Sequence, residues 1–339
     1  MLEDDLKATQ QVHELRAALS RALRELDKLR TQRAELVEAV YRAFKDAVSA
    51  ITIPPVPRPS HDRRRSGEEI ALIAFSDLQL GQITKTYGTD IARERVDRYA
   101  AKIERIVKMQ RTAHPVRRAR LYLLGDIVEG EWVFPTQAWQ VDSSAHVQVT
   151  ITGPEIVTGF IRRMAALFEH VHVVAVPGNH GRVGKTNSPE TNYDRMLYEI
   201  CRHLTAKEKR ITWQIAHERG MYAGLAVDTI GPELAVLLWH GDQARRVSSS
   251  SHLPFYKLIQ GWRSGAIDVP FNISICGHHH TPTSLTIQDV AFYINGTFAS
   301  DAEYAIERLG SNVRPKQWLL FAKPERGITA EYKIDVERD

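Results

Sequence analysis

Five apolar runs in this chain end in the same way. "IALIAFSD", "ARLYLLGD", "VHVVAVPGN", "AVLLWHGD" and "ISICGHHH" each read as a buried strand that stops at polar residues able to bind a metal. In order, those residues are Asp77 with Gln79, Asp126 with Glu129, Asn179 with His180, His240 with Asp242, and His278 with His280. Longer amphipathic stretches lie at about 92–112, 154–169 and 190–208. This alternation constrains the chain to an α/β layered fold. "AFYINGTFAS" and "QWLLFAKPERGITAEYKID" read as closing strands, the second as a hairpin. Open α/β sheets place ligand sites beyond the carboxyl ends of their strands, and a buried strand presents its terminal side chain rigidly.

Each piece alone is a weak signal. A single Asp after a strand is more often a turn or a helix cap, and a single Gly-Asn is more often a turn. "GHHH" is stronger, because alternate residues of an extended segment face the same way. His278 and His280 are then expected to share a site while His279 points elsewhere. Five such endings in one chain are hard to explain by chance. The donors are carboxylates, amides and imidazoles without thiolates, which suits Mn²⁺, Fe or Zn²⁺ and argues against a structural zinc site.

In order and spacing, "SDLQLG", "GDIVEG", "GNHGR", "WHGD" and "GHHH" resemble the successive motifs of the calcineurin-like metallophosphoesterases. That pattern is D-x-H, G-D-x-x-[DE], G-N-H-[DE], a later His, and G-H-x-H. The resemblance spans about residues 70–300 and is nearest to phage and bacterial phosphodiesterases and the repair-exonuclease branch. It implies a four-layer fold, a pair of mixed β-sheets sandwiched and flanked by helices, with two divalent ions at the strand ends. Carried over by position, Asp77, Gln79, Asp126 and His280 would hold the first ion. Asp126, Asn179, His240 and His278 would hold the second, with Asp126 bridging. A hydroxide bridging the ions would attack phosphorus in line. His180 would act as general acid, oriented by Glu129. Three positions depart from the pattern. Gln79 replaces a His, Gly181 stands where an acid often follows "GNH", and Asp242 follows "HG" where a second His is frequent. Gln79 offers a neutral oxygen, acceptable to Mn²⁺ or Mg²⁺.

The expected function is a dinuclear phosphodiesterase acting on nucleic acid or nucleotides, a nuclease or a cyclic-nucleotide phosphodiesterase. The alternatives are a phosphomonoesterase and a catalytically weak scaffold. Arg182 is a candidate phosphate grip. Trp132, Phe134 and Trp139 follow the second motif and offer base stacking, although packing is the expected role of at least one. Arg245, Arg246 and His252 lie on a Ser-rich segment that reads as a substrate loop. Arg117, Arg118 and Arg120 form either a basic patch or solvated charge.

Residues 5–50 contain no Gly or Pro. Val12, Leu19, Leu26, Val40 and Ala47 form one row of a heptad seam, and Leu15, Ala22, Leu29, Leu36 and Ala43 form the other. A long N-terminal helix over 1–51 is expected, with self-association through a coiled coil. A Pro/Arg-rich linker over 52–68 and a catalytic domain over 69–339 follow. The net charge of +4 is compatible with a polyanionic partner without establishing one. Cys201 and Cys276 form no CxxC pair, and "MLEDDLK" is no secretory signal. A cytoplasmic setting without membrane attachment is expected.

Overall fold

The computed structural model describes residues 54–64, 66–133, 137–183, 191–216, 224–244, 253–300 and 314–338. The expected N-terminal coiled coil, Arg65, Phe134, Arg245, Arg246 and His252 lie outside the described residues. The chain divides into two units, Met1–Ile51 and Thr52–Asp339, and the second holds every described residue.

The runs that end in metal-capable residues become β1 (Ile70–Phe75), β2 (Arg118–Leu123), β3 (His170–Ala175), β6 (Leu234–Trp239) and β7 (Ile273–Cys276). The helices between them are α1 (Thr89–Ala113), α2 (Gly153–Leu167), α3 (Tyr193–Thr205) and α4 (Leu253–Gly261). The closing strands are β9 (Val290–Ile294), β10 (Lys316–Lys323) and β11 (Gly327–Asp335), and three shorter strands complete the set: β4 (Ile211–Ile215), β5 (Ala226–Gly231) and β8 (Thr283–Ile287). They assemble into a six-stranded sheet of order β11-β10-β1-β2-β3-β4 and a five-stranded sheet of order β5-β6-β7-β9-β8. Both are mixed. β1 to β4 run parallel, β6, β7 and β9 run parallel, and the remaining pairings are antiparallel.

The pleat explains the layering. Alternate residues Ile70, Leu72 and Ala74 of β1 face inward and meet Val236, Leu238, Ile273 and Ile275 of the other sheet in one apolar core. The outer face of the first sheet carries Phe75, whose ring lies 5.1 Å from Phe160 of α2 and 4.8 Å from Phe298. Tyr99 of α1 stacks on Phe160 at 5.7 Å. The outer face of the second sheet buries Leu237, Trp239 and Phe292 under Phe255 and Ile259 of α4. The result is four layers: helices, sheet, sheet, helix, as the motif resemblance led one to expect.

α1 begins where Asp142 accepts the Thr89 N–H at 2.7 Å, and it ends at His114, held extended before Pro115. The Pro-rich segment is tied down along the body: Arg162 donates to the Pro54 carbonyl at 2.7 Å, and Arg210 donates to the Val56 carbonyl at 3.3 Å. Arg117 and Arg118 pair with Glu68 at 3.0 and 3.1 Å, and Arg120 lies 3.5 Å from the buried Asp228. Arg117 and Arg118 thus share one carboxylate, and Arg120 faces another. Among the described residues no helix is long and apolar enough to cross a membrane.

Candidate active site

The strand-end side chains converge at one rim of the sandwich, and local hydrogen bonds show how. Gly277 N–H donates to the His240 carbonyl at 2.7 Å, joining the ends of β6 and β7. His240 Nδ1 lies 2.8 Å from the Leu124 carbonyl after β2, linking the two sheets. His278 N–H lies 3.1 Å from both Asp77 oxygens, closing the ring back to β1.

The backbone is strained where it turns into this rim. Among the described residues, six non-glycine residues have positive φ, and five are Asp77 (53°), Gln79 (46°), Asp126 (51°), His278 (67°) and His280 (59°). Such conformations cost about 1–3 kcal/mol each and persist only where the surroundings over-determine them. The expectation that "GHHH" alternates as an extended strand is corrected here. β7 ends at Cys276, and left-handed kinks at His278 and His280 do the aiming. His279 does point elsewhere, its ring 5.0 Å from Phe255.

Asp126 is the hub. Its Oδ1 accepts the His180 N–H at 2.8 Å. Its Oδ2 is buried and accepts no well-formed hydrogen bond; the nearest nitrogen is His240 Nε2 at 3.0 Å. Asn179 Oδ1 lies 3.1 Å from the same nitrogen. Because His240 Nδ1–H donates to Leu124, Nε2 presents a lone pair to two acceptor oxygens. Three such atoms meeting in a buried space need either a proton on Nε2 or a metal ion between them. Without an ion, the proton takes that place. Burial opposes a charge on His240, yet Asp126 beside it pushes its pKa up to about 10. Asp126 itself is held well below the usual carboxylate range, because His240 and His180 outweigh its burial. Ligand atoms of Asp126, His240 and His278 all lie within 4.8 Å of one another, so this group fits a divalent ion.

The other half of the site is more open. His280 Nε2 lies 3.3 Å from Asp77 Oδ1, with its side chain 27% exposed. Gln79 Nε2 sits 3.5 Å from His280 Nε2, and Gln79 Oε1 is buried with no donor. An oxygen left in that state is a ready ligand. Neither cysteine contributes a thiolate, since both are buried and their pKa values are raised by that burial.

His180 stands beside this cluster. Its Nδ1 is 3.0 Å from Glu129 Oε2 and its Nε2 is 3.9 Å from Asp126 Oδ2. Burial works against its charged form, but Glu129 and Asp126 prevail and raise its pKa to about 10. Gln137 fixes Glu129 in turn, donating through Nε2 to the Glu129 carbonyl at 2.9 Å and to Oε1 at 2.8 Å. Arg182 lies at the rim, 56% exposed, and its Nη2 pairs with Asp242 Oδ2. Trp132 and Trp139 are 45% and 89% exposed, and Phe134, the third aromatic of that stretch, lies outside the described residues.

Two supporting residues escaped the sequence reading. Asp194 is fully buried in the first turn of α3. It accepts the N–H groups of Asp126 (2.9 Å), Ile127 (3.0 Å), Val128 (3.2 Å) and Gly178 (2.8 Å). It thereby locks the loops after β2 and β3 together. Its only sequence signal is the helix start "TNYD", where Asn192 is the cap. Thr297 is the second; its Oγ1 donates to the Asp77 carbonyl at 3.0 Å and supports the kink there. The close approach of the loops also explains a glycine: a Cβ on Gly178 would meet Asp126 Oδ1 at 2.1 Å.

No protein-family model matches the chain, and no curated protein matches it. Several solved structures are similar to it at low identity. A novel archaeal phosphodiesterase is 12% identical over 78% of this chain and 99% of its own, with a TM-score of 0.38. A predicted phosphoesterase from Streptococcus pneumoniae is 12% identical over 78% and 98%, TM-score 0.31. Vps29 complexed with zinc, from Entamoeba histolytica, is 13% identical over 79% and 99%, TM-score 0.36. The likeness is one of fold, and the residue roles rest on the distances above.

Proposed function

We propose that the chain is a metal-dependent phosphodiesterase acting on nucleic acid or nucleotides, with two divalent ions, Mn²⁺ favoured. The observation that carries this reading is the convergence of Asp126 Oδ2, His240 Nε2 and Asn179 Oδ1 beside the His180–Glu129 pair. Asp126, Asn179, His240 and His278 would hold one ion, and Asp77, Gln79, Asp126 and His280 the other. When bound, such ions lower the pKa of water and neutralise charge on phosphoryl oxygens. The chain's own groups supply the rest. Glu129 keeps His180 protonated on Nδ1, and the Nε2–H is the proton handed to the departing oxygen. Gln137 keeps Glu129 in place. Arg182, steadied by Asp242, is positioned to meet a phosphoryl oxygen at the rim.

Hydrolysis of a bis-aryl phosphate and a mono-aryl phosphate with Mn²⁺, against an Asp126→Ala control, tests the reading. Diester turnover that is lost in the control supports it. Preference for the monoester would make the chain a phosphomonoesterase. No turnover with any divalent ion would sink the enzymatic reading and favour a scaffold, a reading that Gln79 in place of an imidazole keeps open. Self-association through residues 5–50 belongs to the same proposal, and the mass of the full chain in solution tests it.

A further inference from the structure

A polar knot lies in the core where the two sheets meet behind the ligands. Ser76 follows β1, Asn295 follows β9, and Gln317 stands in β10; all three are closed to solvent. Asn295 Nδ2 donates to Ser76 Oγ at 2.9 Å and to Gln317 Oε1 at 2.6 Å. Ser76 Oγ donates in turn to the Gly296 carbonyl at 3.2 Å. Backbone groups dictate which way each amide faces. The Trp318 N–H finds its acceptor in Asn295 Oδ1 at 2.9 Å. The Ser76 N–H donates to Gln317 Oε1 at 3.2 Å, and the Ser76 carbonyl accepts from Gln317 Nε2 at 3.2 Å. Turning either amide over would set donor against donor. The knot therefore closes in one arrangement.

Apolar side chains of similar volume would fill this space without the cost of burying polar groups; what a closed network adds is a fixed geometry. Here it fixes the junction of two sheets. β1 and β10 belong to the first, and β7 and β9 to the second. The Asn295 N–H also donates to the Cys276 carbonyl at 2.6 Å, at the end of β7. A Cβ on Gly277 would lie 2.6 Å from Asp77 Oδ2 and 2.9 Å from Ser76 Oγ, so that strand end is seated on the knot. The ligands depart from this point: Asp77 directly after Ser76, and His278 two residues after Cys276. Thr297 and Phe298, just beyond Asn295, donate to the Asp77 carbonyl at 3.0 and 3.1 Å. In the proposed assignment Asp77 serves one ion and His278 the other. Two ions that share a bridge stand about 3.5–4 Å apart, so a small slip between the sheets here would part them.

We propose that Asn295, with Ser76 and Gln317, is a positioning element that sets the spacing of the two ion sites and so lets both fill together. The inference rests on the two-ion reading. None of the three is a ligand in that assignment; they act through the backbone of Asp77 and through the end of β7.

The experiment measures Mn²⁺ binding to the full chain by calorimetry, with electron paramagnetic resonance of the loaded protein as a second readout. Wild type should bind two ions and show the spectrum of a spin-coupled pair. Gln317→Met keeps the volume and removes the amide; Ser76→Ala removes one oxygen and carries the comparison if the first variant does not fold. Both should bind one ion as before, take up the second about 10- to 100-fold more weakly, and show mainly the spectrum of isolated ions. Ile70→Ala, in the core at the opposite end of β1, supplies a destabilised control that should keep both ions and their coupling. Variants that lose stability in urea yet match wild type in both affinities and in coupling would overturn the inference alone. A second ion weakened equally in Ile70→Ala would do the same. A wild type that takes only one ion would overturn the two-ion reading, and the inference with it.

Discussion

Replacing Gln79 with Met separates a ligand from a bystander. Gln79 is 3% exposed, and its Oε1 is buried without a donor. An unsatisfied buried acceptor costs about 1–3 kcal/mol. Methionine is close in volume, accepts the same backbone strain and carries no such oxygen. In the presence of a chelator, Gln79→Met should therefore be more stable than the parent by about 1–3 kcal/mol in urea unfolding. If the oxygen ligates, bound ion satisfies it, and the same energy appears as affinity. The variant should then bind the ion at the Asp77–His280 half about 5- to 150-fold more weakly. Isothermal titration with Mn²⁺ measures the second effect and equilibrium unfolding the first. The two must move in opposite directions. Raised stability with unchanged ion affinity would refute the ligand assignment, and no change in either would refute the geometry of the orphaned oxygen.

Other outcomes follow from the same arrangement. Asp194→Asn replaces an acceptor of four backbone N–H groups with a side chain that must turn an NH₂ toward some of them, and metal affinity should fall about 10- to 100-fold, read by calorimetry. Glu129→Gln removes a charge that holds the His180 pKa up against its burial. The protonated acid is then lost at lower pH, so the alkaline limb of kcat/KM should shift downward by a unit or more, and a limb that stays in place argues against His180 as the acid. Arg182→Ala should raise KM several-fold with a smaller change in kcat, and Asp242→Asn, which frees the guanidinium without removing it, should affect KM less.

What the sequence revealed depended on burial. β1, β6 and β7 are buried at every position, so their apolar runs stood out, and the polar residues that end them marked the site. β4, β5 and β8 were missed, and each is an edge strand with a mixed exposure pattern. An edge strand needs fewer apolar residues and leaves a weaker period. The supporting contacts were hidden for another reason. Asp194 and Thr297 act through backbone groups far away in sequence, and no local pattern of residue types announces such a bond. The strain was hidden too, because Asp and His adopt positive φ more often than most side chains but still only in a small minority of places.

The three departures from the motif pattern are not alike once their neighbours are known. A Cβ on Gly181 would approach Asn192 Oδ1 to 2.4 Å. That oxygen caps α3 by accepting the Asp194 N–H at 2.8 Å, and Asp194 orients the loops that carry Asp126 and Gly178. An acidic side chain is missing at 181 because its space is used to set the site. Asp242, in place of a histidine, is paired with Arg182. Two of the departures thus come with a partner that gives them a use, which random loss at a failing site does not produce. Gln79 differs, because its oxygen is the one left without a protein partner. If the site binds two ions, the protein completes its polar pairing only when they arrive, and the weakest donor is the point at which occupancy is decided.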